Sequence, residues 1–218
     1  MKQKIKQILS HYHNKKINDK DLITSAVLVP IFYAQGEYHF LFTQRSGGLD
    51  FHQGQACFPG GIRQPNDASL VIAALREAEE EIGLVREDIE ILGELDDAIT
   101  VTSGCVISPF VAFIPYPYPF NINPDEVEQI FSIPLSALMD KKNFRQEYVT
   151  INGKPFPVYF YEYQGHIVWG ATAYIVKQFI ELLQQQSLWD YLLLAFSFLG
   201  FNFDYLRFNF LTLRNDDG

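Results

Sequence analysis

The sequence predicts an α/β fold, and three observations indicate it. Runs of β-branched and aromatic residues alternate along the chain with segments of helical periodicity. Of the 218 residues, 48% are hydrophobic and 20% are charged, which is the composition of a folded globular protein. The pattern is continuous, with neither an internal repeat nor an obvious linker. We therefore expect one main α/β domain with a shorter segment at each end.

The first half of the chain predicts a helix, a hairpin and a second helix. Ile5, Ile8 and Leu9 share one side of a short amphipathic helix within the first twenty residues. Two β-rich runs, 24–34 and 37–44, flank Gln35-Gly36 and predict a hairpin. A Gly-rich loop over residues 46–61 follows. The strongest helix signal then spans residues 69–82, with Gly83 as its stop.

The second half continues the alternation. Strands are predicted over residues 88–95 and 106–116, and again over residues 156–163 and 166–170. Residues 124–139 predict a short helix and its exit, because Pro124 suits the first turn of a helix. Residues 172–186 predict an amphipathic helix.

Three segments are expected from these elements. Residues 1–22 form an N-terminal helical arm, residues 23–186 the main domain, and residues 187–218 an aromatic-rich C-terminal extension. The extension is dense in Phe and Leu but interrupted by Asp190, Asn202, Asp204 and Arg207. Packing on the domain or on a partner subunit of a homodimer explains it best, and shallow attachment to a membrane surface is the alternative.

Charge, hydropathy and cysteine content exclude several classes of function. The net charge of −9 argues against a general nucleic-acid binder, which needs a basic surface. Acidic proteins can still act on polyphosphates when divalent cations supply the positive charge. The sequence contains no apolar stretch of the roughly 18 to 20 residues that a membrane span needs. Cys57 and Cys105 are predicted to be free thiols, and without a signal-peptide pattern we expect a cytoplasmic protein.

The helix at 69–82 crowds four carboxylates into five positions. Glu77, Glu80 and Glu81 share one face because residues three and four apart are neighbours on a helix, whereas Glu79 points elsewhere. Clustered carboxylates repel unless positive charge lies among them. Arg76 can neutralise or orient one of them, and the remaining charge favours a hard divalent cation such as Mg²⁺ or Mn²⁺.

A Gly-Gly turn precedes this helix. The sequence Phe58-Pro59-Gly60-Gly61 permits close approach of the backbone to a ligand or metal. Together with the helix it resembles the Nudix box, a Gly, five residues, Glu, seven residues, then Arg-Glu-aliphatic-x-Glu-Glu-x-Gly-aliphatic. The matching residues are Gly61, Arg76, Glu77, Glu80, Glu81 and Gly83.

The resemblance implies a fold and an activity. Nudix enzymes hydrolyse nucleoside diphosphates linked to another moiety, and their glutamates hold the catalytic metals. The implied fold is the Nudix α/β/α sandwich, with a mixed sheet and a loop-helix-loop catalytic box. One position departs from the pattern: counting from Gly61 places Asp67 where the box has Glu, whereas counting back from the helix places Ala68 there.

The residues before the box narrow the resemblance. The stretch LFTQRSGGLDFHQGQACFPGG, residues 41–61, is similar to the signature of coenzyme A pyrophosphatases of the Nudix superfamily. Bacterial members are also similar in carrying the extra residue within the box. Asp50 and Gln64 depart from that signature, which has Arg and Asp there. Loss of an arginine lowers affinity for the 3′-phosphate of coenzyme A if that position faces the ligand.

The resemblance and the residue chemistry together assign candidate roles. The proposed metal ligands are Glu77, Glu80, Glu81 and the Gly61 carbonyl, and the proposed catalytic residues are Arg76, Glu80, Glu81 and Glu126. Glu80 and Glu126 are both candidates for the general base. The proposed substrate-binding residues are Arg45, Ser46, His52, Phe58 and Gly60, with Arg45 the phosphate clamp and His52 a hydrogen-bond donor or loop organiser.

Three functions remain open at the sequence level. The first is metal-dependent hydrolysis of coenzyme A or its derivatives to 3′,5′-ADP and 4′-phosphopantetheine. The second is hydrolysis of another nucleoside diphosphate conjugate, such as NADH, ADP-ribose or a nucleotide sugar, and the changes at Asp50 and Gln64 favour it. The third is a non-catalytic nucleotide-binding module, against which the intact glutamates argue.

Overall fold

The computed structural model describes residues 1–47, 54–100, 104–151 and 153–198, with side chains to residue 186. The chain divides into two compact units, Met1–Ile180 and Glu181–Gly218. In the second unit, the described part is the continuation of one helix to Phe198. No helix within the described ranges is long and apolar enough to cross a membrane.

A large mixed sheet forms the centre of the first unit. Within the described residues, this sheet contains strands β1 Ile23–Ala34, β2 Glu37–Arg45, β3 Ala56–Cys57, β4 Gly60–Ile62, β5 Glu90–Glu94, β6 Ala98–Thr100, β7 Cys105–Phe113 and β8 Val127–Pro134. Its main path runs β3-β2-β1-β7-β5, while β4 pairs with β1, β6 with β7 and β8 with β2. The β1–β7 pair is parallel and its neighbours are antiparallel, so the sheet is mixed as predicted.

A smaller antiparallel sheet lies in the same unit. It contains β9 Phe144–Ile151, β10 Lys154–Tyr163 and β11 His166–Trp169, in the order β11-β10-β9. The helices are α1 Lys2–Ser10, α2 Leu70–Ile82, α3 Leu135–Met139 and α4 Gly170–Phe198. The predicted hairpin is present, and Gln35 and Gly36 both adopt positive φ, as its tight turn requires.

Alternation along the central strands buries both faces of the large sheet. Leu28 and Leu41 face helix α2 and belong to one buried cluster with its alanines. Phe40 faces the other way and meets Phe179 of α4 edge to face, with ring centres 5.1 Å apart. Helices thus cover the sheet on both sides, in agreement with the Nudix α/β/α sandwich that the sequence predicts.

Helix α1 packs on the rim of the large sheet. Ile5 and Leu9 are buried, as the amphipathic pattern predicts. A Cβ atom added to Gly93 would lie 2.4 Å from Leu9 Cβ, so a glycine there lets the helix approach β5 closely. Lys2 and Lys6 both form ion pairs with Glu90 of that strand. The boundaries of the arm and the C-terminal extension stay predictions.

The prediction of a helix within residues 124–139 is wrong for most of that segment. Val127–Pro134 is strand β8, which pairs with β2 from His39 to Arg45, and helix begins only at Leu135. The apolar residues Ile130, Phe131 and Ile133 suit a strand as well as a helix turn. The edge of β2 supplied backbone hydrogen-bond partners, and this tertiary pairing decided the conformation.

Candidate active site

Small residues and a glycine stop position helix α2. Ala73, Ala74 and Ala78 are completely buried against the sheet, and their short side chains let the helix lie close to it. Gly83 ends the helix in the left-handed conformation, with φ at 66°. A Cβ atom there would lie 2.8 Å from Asn121 Cβ, so glycine also makes room for the next loop.

Three carboxylates converge where α2 faces a later loop. One oxygen each of Glu77, Glu81 and Glu126 can be chosen so that all lie within 4.8 Å of one another. Glu81 is only 2% exposed, and its Oε2 atom has no hydrogen-bond partner within the described ranges. Burying an unpaired carboxylate oxygen is costly unless a ligand satisfies it. Three hard oxygen donors with one unsatisfied atom fit a divalent cation.

Electrostatics at this cluster follow from burial and crowding. Burial raises the pKa of Glu81 to about 8, and the carboxylates of Glu77 and Glu126 add to the effect, whereas Arg45 opposes it. Burial also raises the pKa of Glu77, against the opposing effect of Arg76. Without a cation, the site therefore favours a protonated Glu81 near neutral pH.

The loop that carries Glu126 is attached to the end of α2. The backbone N–H groups of Asn121 and Asn123 donate to the carbonyls of Ile82 and Glu81, respectively. These are two of the carbonyl groups that the end of a helix leaves without a partner. The Asn123 side-chain amide donates to Glu126 Oε1 over 3.0 Å. Asn123 therefore connects the loop carboxylate to the helix. This residue is not among those predicted from the sequence, where its one signal is the turn-forming run Asn123-Pro124-Asp125.

Arg45 and Ser46, at the end of β2, lie at another side of the carboxylate cluster. The Ser46 amide donates to the Glu126 carbonyl over 2.9 Å, and its hydroxyl donates to the Asp125 carbonyl over 2.7 Å. Ser46 thus holds the Glu126 loop in place. The Arg45 Nε atom is buried and has no hydrogen-bond partner in the described part of the chain. Its guanidinium lies close enough to Glu81 to lower the pKa of that carboxyl group.

Gly60 and Gly61 were predicted to form a turn, but they begin strand β4, where pairing with β1 holds them extended. Close packing requires both glycines. The Gly60 amide donates to the Glu81 carboxylate, and a Cβ atom at Gly60 would lie 2.3 Å from the Ala26 carbonyl oxygen. A Cβ atom at Gly61 would lie 2.5 Å from the carboxyl carbon of Glu77. Any larger residue would displace the strand or the carboxylate. Metal ligation by the Gly61 carbonyl stays a prediction.

Arg76 joins three carboxylates on the outer side of the cluster. Its Nη1 atom donates to Glu77 Oε1 over 2.8 Å and to Glu80 Oε2 over 2.9 Å. Its Nε and Nη2 atoms donate to the two oxygens of Asp67, each over 3.1 Å. These hydrogen bonds raise the pKa of Arg76 and lower that of Asp67. Arg76 is therefore a fixed cation that orients Glu77.

The remaining predicted site residues lie in different surroundings. Glu80 is 51% exposed, and its carboxylate contacts Arg76 and lies outside the group of three converging carboxylates. Phe58 is 2% exposed and stacks on Phe42, so its observed role is core packing. His52 lies outside the described residues. Cys57 is a free thiol whose pKa burial raises to about 11, which fits an unreactive side chain.

A family model described as the NUDIX domain matches residues 22–151, more than half of the chain. The chain belongs to the Nudix hydrolase family. Glu77, Glu81 and Glu126 all lie within the matched region. Nudix hydrolases act on nucleoside diphosphate derivatives and generally use divalent metal ions, in agreement with the chemistry of this carboxylate cluster.

Relatives of this Nudix hydrolase extend the match beyond the family model. It is 36% identical over 170 residues to a protein of Photorhabdus laumondii named as an uncharacterized Nudix hydrolase, NudL, covering 78% of this chain and 89% of the relative. A protein of the same name from Yersinia pestis is 34% identical over 181 residues, covering 83% and 87%. A solved MutT/nudix family protein from Enterococcus faecalis has the same fold, with a TM-score of 0.51 at 18% identity, covering 82% and 69%.

Proposed function

We propose that this Nudix hydrolase cleaves the pyrophosphate bond of coenzyme A or its derivatives, giving 3′,5′-ADP and 4′-phosphopantetheine or acyl-phosphopantetheine. The observation that carries the hydrolytic part is the convergence of Glu77, Glu81 and Glu126 within 4.8 Å. Support for the choice of substrate comes from the stretch over residues 41–61, which is similar to the coenzyme A pyrophosphatase signature.

Glu77, Glu81 and Glu126 are the residues proposed to hold Mg²⁺ or Mn²⁺. When bound, such a cation supplies positive charge against the pyrophosphate oxygens and makes water a better nucleophile. The unpartnered Oε2 atom of Glu81 is the donor that most needs this ion. Glu80, predicted from the sequence as a further ligand, turns toward Arg76 and is half exposed, so a change of rotamer would be needed for ligation.

Arg45 is proposed to bind a phosphate oxygen of the substrate. Its Nε donor is buried beside the carboxylate cluster and lacks a protein acceptor in the described ranges. A guanidinium can bind phosphate oxygens with two parallel hydrogen bonds, which fixes the orientation of the pyrophosphate. Ser46 contributes through the Glu126 loop, because its hydroxyl and amide both hold that loop.

The proton of the attacking water requires a base. Glu126 is the first candidate because its carboxylate lies in the cluster and Asn123 fixes its position. Glu80 is the second, because its carboxylate is half exposed and only its Oε2 atom is engaged, by the ion pair with Arg76. A carboxylate within hydrogen-bond reach of the water typically accelerates such a step by roughly 10² to 10⁴.

Hydrolysis of a different conjugate is the second candidate function. The substitutions Asp50 and Gln64 favour it, because the coenzyme A signature has Arg and Asp at these positions. NADH, ADP-ribose and nucleotide sugars contain the same pyrophosphate group, so the proposed cleavage chemistry applies to them unchanged.

Product analysis tests the proposal. Purified full-length protein is incubated with coenzyme A and Mg²⁺ or Mn²⁺, and the products are identified by mass spectrometry. We expect 3′,5′-ADP and 4′-phosphopantetheine in equal amounts, with no turnover in excess EDTA. Turnover that persists in EDTA would contradict the metal site. Intact coenzyme A in every metal condition, with NADH or ADP-ribose cleaved, would establish the second candidate instead.

A further inference from the structure

The small sheet ends in an open edge at strand β9. In the described part of the chain β9 pairs with β10 alone, and residues 145–150 are all exposed. The backbone N–H and C=O groups along such an edge are a template for pairing with another strand. The proposed hydrolysis gives this edge no role.

Strand β9 lacks the features that usually block pairing at an edge. Its sequence, FRQEYVTI, contains neither proline nor lysine. Its register with β10 is continuous over eight cross-strand pairs, so no bulge within this described ladder twists the edge away. Tyr148 and Val149 are 67% and 44% exposed, and aromatic and β-branched side chains favour strand pairing. The edge is therefore long, regular and partly apolar.

Two residues of opposite charge indicate which register such pairing would take. Arg145 and Glu147 are two positions apart, so they lie on the same face of the sheet. If two copies of β9 pair antiparallel about a twofold axis at Gln146, Arg145 of each copy lies directly opposite the partner's Glu147. An axis at Arg145 or at Glu147 would place like charges opposite each other, which is unfavourable. An axis at Tyr148 would place Glu147 opposite the partner's Val149, without an ion pair.

The ion pairs within one chain are compatible with this register. Arg145 Nη1 donates to Glu147, and its Nε and Nη2 atoms donate to Glu162 Oε1 over 3.3 and 3.1 Å. Across the axis, Arg145 and Glu147 of the two copies form a square in which each arginine lies between two glutamates. A carboxylate accepts at two oxygens, so one Glu147 can bind both arginines without losing its own.

The other face of the sheet offers an aromatic contact in the same register. Phe144 lies opposite the partner's Tyr148, and aromatic pairs across antiparallel strands are stabilising. Phe144 already packs on Tyr159 and Tyr161, with ring centres 6.1 and 5.1 Å away, so the partner's ring would extend an existing cluster. Gln146, on the axis, meets the same residue of the partner, and two carboxamides can each donate and accept.

We propose that this protein forms a homodimer through strand β9, in which two three-stranded sheets join into one antiparallel sheet about a twofold axis at Gln146. One strand from each copy is a small contact, and small interfaces are typical of weak, reversible association. The dimer therefore depends on protein concentration. It does not depend on the proposed hydrolysis, because the eight residues of β9 all lie outside the carboxylate cluster.

Sedimentation velocity of the full-length protein over a range of concentrations tests the dimer. We expect a shift from monomer to dimer as the concentration rises. Arg145→Glu and Glu147→Arg should each raise the Kd of the dimer at least about tenfold, because symmetry turns two attractive pairs into two repulsive ones. Lys154→Glu is the matched control, since it makes the same charge change as Arg145→Glu at an exposed residue of β10, away from the edge. It should dimerise like the unchanged protein.

Mixing the two charge variants separates lost pairing from a folding defect. In a mixed dimer one copy carries two acidic residues at these positions and the other carries two basic ones, so every pair across the axis is attractive again. An equimolar mixture of Arg145→Glu and Glu147→Arg should therefore dimerise at concentrations where neither variant does so alone. A mixture that stays monomeric at those concentrations would contradict the charge pairing.

Cysteine cross-linking tests the register. Directly opposed Cα atoms of antiparallel strands lie about 4.5 to 5.5 Å apart, within the reach of a disulfide. With oxidised glutathione as the oxidant, Gln146→Cys should give a covalent dimer on a non-reducing gel. Thr150→Cys is the control and should not, because the two copies of Thr150 lie on opposite sides of the axis. Equal cross-linking of the two variants would contradict the register.

Two further results would overturn the proposal as a whole. The first is an unchanged protein that remains monomeric at every concentration. The second is a dimer whose Kd is the same in the unchanged protein and in both charge variants, because its interface would then lie outside β9.

Discussion

Asp67 and Arg76 form a two-point ion pair, in which Nε and Nη2 of the arginine each lie 3.1 Å from a different carboxylate oxygen. The pair connects helix α2 to the loop before it, which contains one residue more than the general Nudix pattern. It also fixes the guanidinium that orients Glu77. The backbone N–H of Gln64 donates a further hydrogen bond to Asp67 Oδ2, which connects the two ends of a tight turn in this loop.

Replacing Asp67 by Asn should therefore lower activity without touching the carboxylate cluster. Loss of one charged partner loosens Arg76 and, through it, Glu77. Substitutions of such supporting residues typically reduce activity about 10- to 100-fold. We expect kcat to fall roughly tenfold in a steady-state assay, with Mn²⁺ affinity also reduced. Unchanged kcat and metal affinity would show that the pair is dispensable.

The second prediction separates the glutamates of helix α2. Glu81→Gln and Glu80→Gln should each lower kcat by roughly 10² or more, the scale of losing metal or base function. Glu126→Gln should have an effect of the same size, because its carboxylate lies in the cluster. Glu79→Gln is the matched control on the exposed face and should remain within about twofold. Near-normal turnover in the first two variants would remove the basis of the metal-site assignment.

Glu81 should also make the metal-free protein sensitive to pH. Its pKa in the folded chain is about 8 against a reference of 4.5, so folding favours the protonated form. The folded state is therefore most stable, relative to the unfolded state, below pH 4.5, and it loses this stability as the pH rises toward 8. At pH 8 in EDTA, Glu81→Gln should therefore raise the Tm by roughly 5 °C, corresponding to about 2 kcal/mol.

Calorimetry with and without Mn²⁺ provides the control for this effect. The ion should raise the Tm of the unchanged protein and have little effect on Glu81→Gln, because a ligand stabilises only the state that binds it. If metal-free Glu81→Gln had a lower Tm than the metal-free unchanged protein at pH 8, burial of the ionised Glu81 carboxylate would not destabilise the fold.

The fourth prediction concerns the attachment of helix α1. Hydrogen bonds from Lys6 and Lys2 lower the pKa of Glu90 to about 2 from a reference of 4.5. This contribution to stability is present above pH 4.5 and is lost as pH falls through 2. The Tm difference between the unchanged protein and Glu90→Gln should thus be largest above pH 5 and vanish near pH 2.

Thermal melts of Glu87→Gln over the same pH range give the comparison, because Glu87 is an exposed carboxylate three residues away. We expect only a small and nearly constant Tm difference for that variant. A Glu90→Gln profile that matches the Glu87→Gln profile would show that the lysine pairs add nothing.

Local patterns predicted the parts of the fold that depend on local chemistry. Helix α2 with its Gly83 stop and the hairpin at Gln35-Gly36 follow from periodicity and turn chemistry, and both are confirmed. Strand β8 was missed because its pairing with β2 is a long-range contact that the local sequence does not record. The smaller sheet was incompletely predicted for the same reason, since β9 is a mostly exposed edge strand with weak patterning.

The candidate site shows the same division. Spacing on a helix predicted that Glu77 and Glu81 share a face, and the structure brings their carboxylates together. Helical spacing cannot show that Glu126 completes the group while Glu80 turns to Arg76, because a distant loop and an ion pair decide this. The offset at Asp67 is likewise explained only in three dimensions, by its pairing with Arg76.

A competition assay tests the proposed substrate most directly. Equimolar coenzyme A and ADP-ribose are mixed with the protein and Mn²⁺ in one reaction, and the relative rates of loss give the ratio of kcat/KM values. We predict that coenzyme A is consumed at least about tenfold faster, equivalent to about 1.4 kcal/mol of preferential transition-state binding. Equal consumption of the two compounds, or faster loss of ADP-ribose, would contradict it.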